Sequence, residues 1–216
     1  MINDFKFGLK IIKYGLNVKM SLIVSVFLLI IGFLMDIAAP SAPINGLYVG
    51  MGGLFIVQVI CSVSVSTMVQ SSEYKRQIQT SVPVILCGAY LLVGNTISFL
   101  VKLAGMCFFE LDLAEVSNGM VFNAVLMTII ALYMAGALKF FGIATGVFVV
   151  CYLAFSFLSN SVNYMEGVML LPFEIAVVFS YVMIIVAMVL MYLLFLAMYK
   201  RDFSKQTFET QLKRAK

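Results

Sequence analysis

Six apolar runs, each about as long as a lipid hydrocarbon core is thick, divide nearly all of this 216-residue chain, and its basic residues fall almost entirely on one side of them. A helix needs roughly 20 apolar residues for such a crossing. The runs are Met20–Ile37, Leu47–Thr67, Ser81–Val101, Met120–Leu138, Phe140–Leu158 and Ile175–Tyr199. The last is longer than the core requires, which predicts tilt or extension into water. Only 11% of the residues are charged and 63% are hydrophobic. A soluble domain carries about 25% charge and has no core large enough to hide that apolar excess, so lipid must take it. The expected fold class is all-α: a polytopic membrane protein of six transmembrane helices forming one membrane domain over residues 1–216. Residues 1–19 read as a cytoplasmic amphipathic helix, 20–199 as the spans and 200–216 as a cytoplasmic tail. No small-residue cleavage site follows the first run, which is therefore expected to stay as a helix.

Charge sets the expected direction. Lys6, Lys10, Lys13 and Lys19 precede the first run, and Lys75 and Arg76 separate the second from the third. Lys139 separates the fourth from the fifth, and Lys200, Arg201, Lys205, Lys213, Arg214 and Lys216 follow the sixth. In a six-span chain all these places share one side, which the positive-inside rule makes cytoplasmic, with both termini there. The other side carries Asp36, Glu110, Asp112, Glu115, Glu166 and Glu174, with Lys102 as its one cation. Lys102 is expected to snorkel outward at the end of the third span and to pair with the acidic loop Gly105–Gly119. The three carboxylates of that loop lack EF-hand spacing, so a solvated acidic loop is expected rather than a cation site.

Composition also narrows the chemistry. Histidine is absent, and Cys61, Cys87, Cys107 and Cys151 stand far apart. Cys/His zinc sites, histidine acid–base work and CxxC redox motifs are excluded; the cysteines read as small hydrophobes. Charge is nearly absent from the apolar runs, which weighs against a proton relay, a cation-coupled carrier or an intramembrane enzyme. Net charge of +4 comes from residues flanking the runs, so it is a membrane signal and not a nucleic-acid one. No G-x-x-x-x-G-K-[ST] phosphate loop is present, and the chain is expected to be no enzyme and to bind no cofactor or metal.

Two basic segments invite contact. Over Asp4–Lys19, Phe5, Leu9, Ile12 and Leu16 recur at helical spacing with Lys6, Lys10 and Lys13 beside them, the pattern of a helix lying in the membrane interface on anionic lipid. Gln70–Pro83 (QSSEYKRQIQTSVP) is the one sizeable loop on the basic side. Ser71 and Ser72 are candidate caps, Pro83 suits the first turn of the third span, and two helical turns fit between.

This layout resembles an ATP-binding-cassette export permease of the type-2 family: an amphipathic helix before span one, a short basic segment between spans two and three, a tight turn between four and five, and a broken outer segment before span six. The string Tyr74-Lys75-Arg76-Gln77-Ile78-Gln79-Thr80-Ser81-Val82-Pro83 is similar to the stretch entering the third span of small bacterial members. The resemblance implies that Glu73, Tyr74, Lys75, Arg76 and Gln77 form a coupling helix seated in a separate ATPase subunit, which binds the ATP. It implies a second permease copy or homologue, a bacterial cell membrane, and a peptide, lipid-linked or drug-like cargo. The alternative is a six-span substrate-capture subunit of an energy-coupling vitamin importer, with Asn160, Asn163 and Glu166 facing the vitamin.

The remaining polar and small residues concern packing. Outer segment Ser159–Glu174 reads either as a surface loop or as a dip into the outer leaflet turning at Pro172. Asn95 is expected to bond to a neighbouring helix. Gly46-xxx-Gly50 and Gly142-xxx-Gly146 are expected to let helices approach closely inside the chain.

Overall fold

The computed structural model describes residues 2–15, 17–64, 67–163 and 168–201. Leu16, Glu166 and the tail cations beyond Arg201 lie outside these, as does the side chain of Asn163. The described residues are helical and turn-forming, without strands. In order they form α1 (Ile2–Ile12), α2 (Val18–Ala38), α3 (Ile44–Ser64), the single turn α4 (Thr67–Gln70), the short α5 (Lys75–Gln79), α6 (Ser81–Phe108), α7 (Leu113–Ala137), α8 (Phe141–Asn163) and α9 (Phe173–Met198). Six of these, α2, α3, α6, α7, α8 and α9, are long and apolar enough to cross a membrane. The fold is that of a multi-pass membrane protein, as the apolar runs require.

Helix α7 is the centre. It packs against α3, α8 and α9, and its Leu126, Met127, Ile130 and Met134 meet Val49, Val57, Leu91, Ile184 and Met191 in one core. Lipid tails are as apolar as these side chains, so contact area and close approach decide which faces associate. Gly46 and Gly50 supply the closest approach: a Cβ on Gly46 would lie 2.7 Å from the Asn123 carbonyl oxygen, and one on Gly50 2.5 Å from Ile130. The first glycine pair is therefore the α3–α7 seam. The second is not internal: a Cβ on Gly142 or Gly146 would meet nothing within 4 Å. Helix α8 turns that face away from the bundle and presents Ile143, Val147, Val150, Leu153 and Phe157 outward. On α2, Ile23, Phe27, Ile30 and Leu34 do the same. Such helical stripes at three- and four-residue spacing are lipid-facing surface.

The boundaries that differ most from the sequence reading are the end of span three and the start of span four. Span three runs on past Val101 to Phe108, and span four begins at Leu113 rather than Met120. The acidic loop expected over Gly105–Gly119 shrinks to the few residues between them. Lys102 does not mark an end, because its charge is neutralised inside the bundle and the helix continues through it. Helix α7 in turn starts early on Leu113-Ala114-Glu115, whose Glu115 suits the positive end of the helix dipole.

Candidate functional site

Asp36 and Lys102 form an ion pair, Nζ to Oδ1 2.8 Å, and neither side chain has any solvent exposure. Their partners come from three helices and one connection. Ser98, one turn before Lys102 on α6, donates to Asp36 Oδ2 at 2.6 Å. Asn45, at the start of α3, donates from Nδ2 to the same oxygen and to Ser98 Oγ at 2.8 Å. Asn123 of α7 donates to Asp36 Oδ1 at 3.3 Å and accepts the Gly46 amide at 2.9 Å. Lys102 also donates to the Pro40 carbonyl in the α2–α3 connection at 2.7 Å. The site can close this tightly because Gly119 has no side chain: a Cβ there would lie 1.8 Å from the Pro40 oxygen and 2.9 Å from Lys102 Nζ.

Removing an ion from water costs several kcal/mol, and attraction repays it only when the remaining donors and acceptors are also matched. Here the carboxylate takes hydrogen bonds from Ser98, Asn45 and Asn123 besides its cation. That arrangement binds α2, α3, α6 and α7 at their acidic end into one unit. It overturns two expectations. Lys102 neither snorkels outward nor pairs with Glu110, Asp112 or Glu115, and the spans do contain a buried carboxylate, Asp36. The signal was present in α6: Asn95, Ser98 and Lys102 follow at three- and four-residue spacing, a polar stripe on one face of an otherwise apolar helix. Asn95 itself behaves as expected, donating to Ser180 of α9 at 3.0 Å.

The outer stretch before α9 is tied to the same end. Asn118 donates to the Val168 carbonyl at 2.7 Å and accepts the Leu170 amide at 2.9 Å, and Ser117 donates to the Leu171 carbonyl at 2.6 Å. These bonds hold 168–171 along the start of α7, and Pro172 caps α9. Asn160 is exposed near the end of α8.

At the basic end the geometry is different. Helix α5 is one turn where two were expected, followed at once by α6 with Pro83 in its first turn. Glu73 and Tyr74 precede it; Lys75, Arg76 and Gln77 lie within it. Ser72 caps nothing, since its hydroxyl donates back to the Val69 carbonyl at 2.9 Å. Glu73, Tyr74 and Arg76 are exposed, Tyr74 by 56%, and Lys75 and Gln77 are half-buried. Beneath them Ile78, Gln79 and Thr80 are buried.

Helix α1 braces this turn and carries three faces at 100° per residue. Asp4, Phe7, Gly8 and Ile11 face the bundle. Asp4 accepts a hydrogen bond from Gln77 Nε2, and the Phe7 ring lies 5.3 Å from that of Tyr74. Ile11 packs with Ile60, Ile78, Val82 and Leu86. Phe5 and Leu9 point outward, 37% and 48% exposed, while Ile12 sits between and is partly buried. Lys6, Lys10 and Lys13 are exposed on the third face. Of the apolar residues singled out by spacing, Phe5 and Leu9 are thus the outward ones; the bundle-facing set was missed because Asp4 and Gly8 interrupt it.

No group of three or more metal-ligating side chains occurs among the described residues. Comparison with known protein families, with curated proteins and with solved structures finds no match to this chain.

Proposed function

We propose that this chain is the membrane-spanning permease subunit of an ATP-driven exporter, working with a separate ATPase that grips 70–83, with the basic end cytoplasmic and a second permease copy or homologue completing the path. The observation that carries this reading is the build of α5. Arg76 on it, with Glu73 and Tyr74 just before it, is presented outward, while its other face is anchored on α1, Ile60 and α6. A partner pushing on that turn pushes on α6 without slack. Helix α6 then carries the motion from Ser81 to Lys102, about 30 Å at 1.5 Å per residue, to the acidic end where Asp36 joins it to α2, α3 and α7.

The test is co-purification from the native operon. A stoichiometric ATP-binding subunit is expected with the wild-type chain and absent with Lys75→Glu/Arg76→Glu, while helix content and elution volume stay unchanged. Retention of an active ATPase by the charge-reversed chain would remove the coupling role.

A further inference from the structure

An apolar groove of about 500 Å³ runs between α7 and α8. Ile129, Tyr133, Val147, Phe148 and Cys151 line it, and Leu194 of α9 closes one side. Its inner wall is narrowest where Gly136 meets Ala144, since a Cβ on the glycine would come within 3.2 Å. Phe140 lines its mouth, and the Arg201 guanidinium lies over that ring at 5.0 Å. Lys139 donates to the Arg201 carbonyl beside it.

We propose that this groove holds one acyl chain of an anionic glycerophospholipid, with the lipid phosphate at Arg201. Length, charge and donor geometry each support that occupant. From Phe140 to Cys151 the helix rises eleven residues, about 16 Å, which is half of a hydrocarbon core of roughly 30 Å. The groove is therefore one leaflet deep and opens at the headgroup level of the basic side. A zwitterionic lipid gains little from the cations there, whereas an anionic one neutralises charge that the protein concentrates at the mouth. Stacking on Phe140 occupies the face of the guanidinium and leaves its in-plane N–H fork, the part that matches phosphate. Helix α8 forms the groove's outer wall through Ala144, Val147, Phe148 and Cys151. The inference is independent of the transport reading and needs only the membrane.

The chain contains no tryptophan, so one introduced indole reports one place. The full-length Phe148→Trp protein is reconstituted in phosphatidylcholine vesicles containing a minor fraction of phosphatidylglycerol or phosphatidylcholine with brominated acyl chains. Brominated phosphatidylglycerol is expected to quench as though enriched about fivefold at the groove, the size of effect one cation gives near an anionic surface. Arg201→Glu in the same background should abolish the preference, and Val182→Trp on the lipid face of α9 should show none. Equal quenching by the two lipids, a preference that survives Arg201→Glu, or the same preference at Val182→Trp overturns the proposal. Protection from both lipids overturns it too, because a second copy of the chain then fills the groove. If Phe148→Trp does not fold, Cys151→Trp reads the same wall.

Discussion

The two ends of the bundle handle charge in opposite ways. At the acidic end a carboxylate and an ammonium are fully buried, paired, and hydrogen-bonded by residues from the surrounding helices. At the basic end charged and aromatic groups stand in the open on an apolar base built by Ile11, Ile60, Ile78 and Val82. Helix α6 belongs to both. The difference separates what holds helices together from what is offered to a partner: buried polar groups specify one arrangement, since every alternative leaves a charge unpaired, whereas exposed ones cost little and constrain little.

The sharpest way to break the contrast is to remove one charge from the buried pair. Lys102→Met leaves Asp36 without its cation and is expected to destabilise the folded bundle by about 3–5 kcal/mol. Asp36→Leu/Lys102→Met, which removes both, should recover most of that loss. Heat-induced loss of monodisperse protein in detergent checks the cycle; simple additivity of Asp36→Leu and Lys102→Met would mean the two side chains do not act as a pair. A smaller effect comes from Ser98→Ala. It deletes one donor to the carboxylate while keeping the cation, and about 1.5–3 kcal/mol is expected for a hydrogen bond to a charged group. Hydrogen exchange in the α2–α3 connection around Pro40 should rise in that variant and stay at wild-type level around α5. The smallest effect on stability belongs to Lys75→Glu/Arg76→Glu, within about 0.5 kcal/mol, because Arg76 is exposed and Lys75 only half-buried. A large loss of melting temperature there would show that the basic end is as structural as the acidic one.

The spans were legible because each is a long apolar run and because the basic residues fall in every second gap between them. Close approach at Gly46 and Gly50 was legible too, since small residues four apart share a face. The same logic misplaced Gly142 and Gly146, because spacing says which residues share a face but not what that face meets. The buried pair was harder. Asp36 lies close to the end of an apolar run, where a carboxylate ordinarily reaches water, and its partner lies 66 positions away (102 − 36). Pairing over that distance is a property of tertiary packing. What the sequence did contain was an exception, the single cation among the acids of one side, lying on the Asn95–Ser98 stripe. Read together, those two facts point inward rather than outward.

That separation along the chain also imposes an order of manufacture. A ribosome adding about 5–20 residues per second finishes Asp36 roughly 3–13 s before it reaches Lys102. Throughout that interval the first span carries, two residues from its end, a carboxylate whose counter-charge does not yet exist. The pair can therefore close only once the third span, which carries Lys102, has been made.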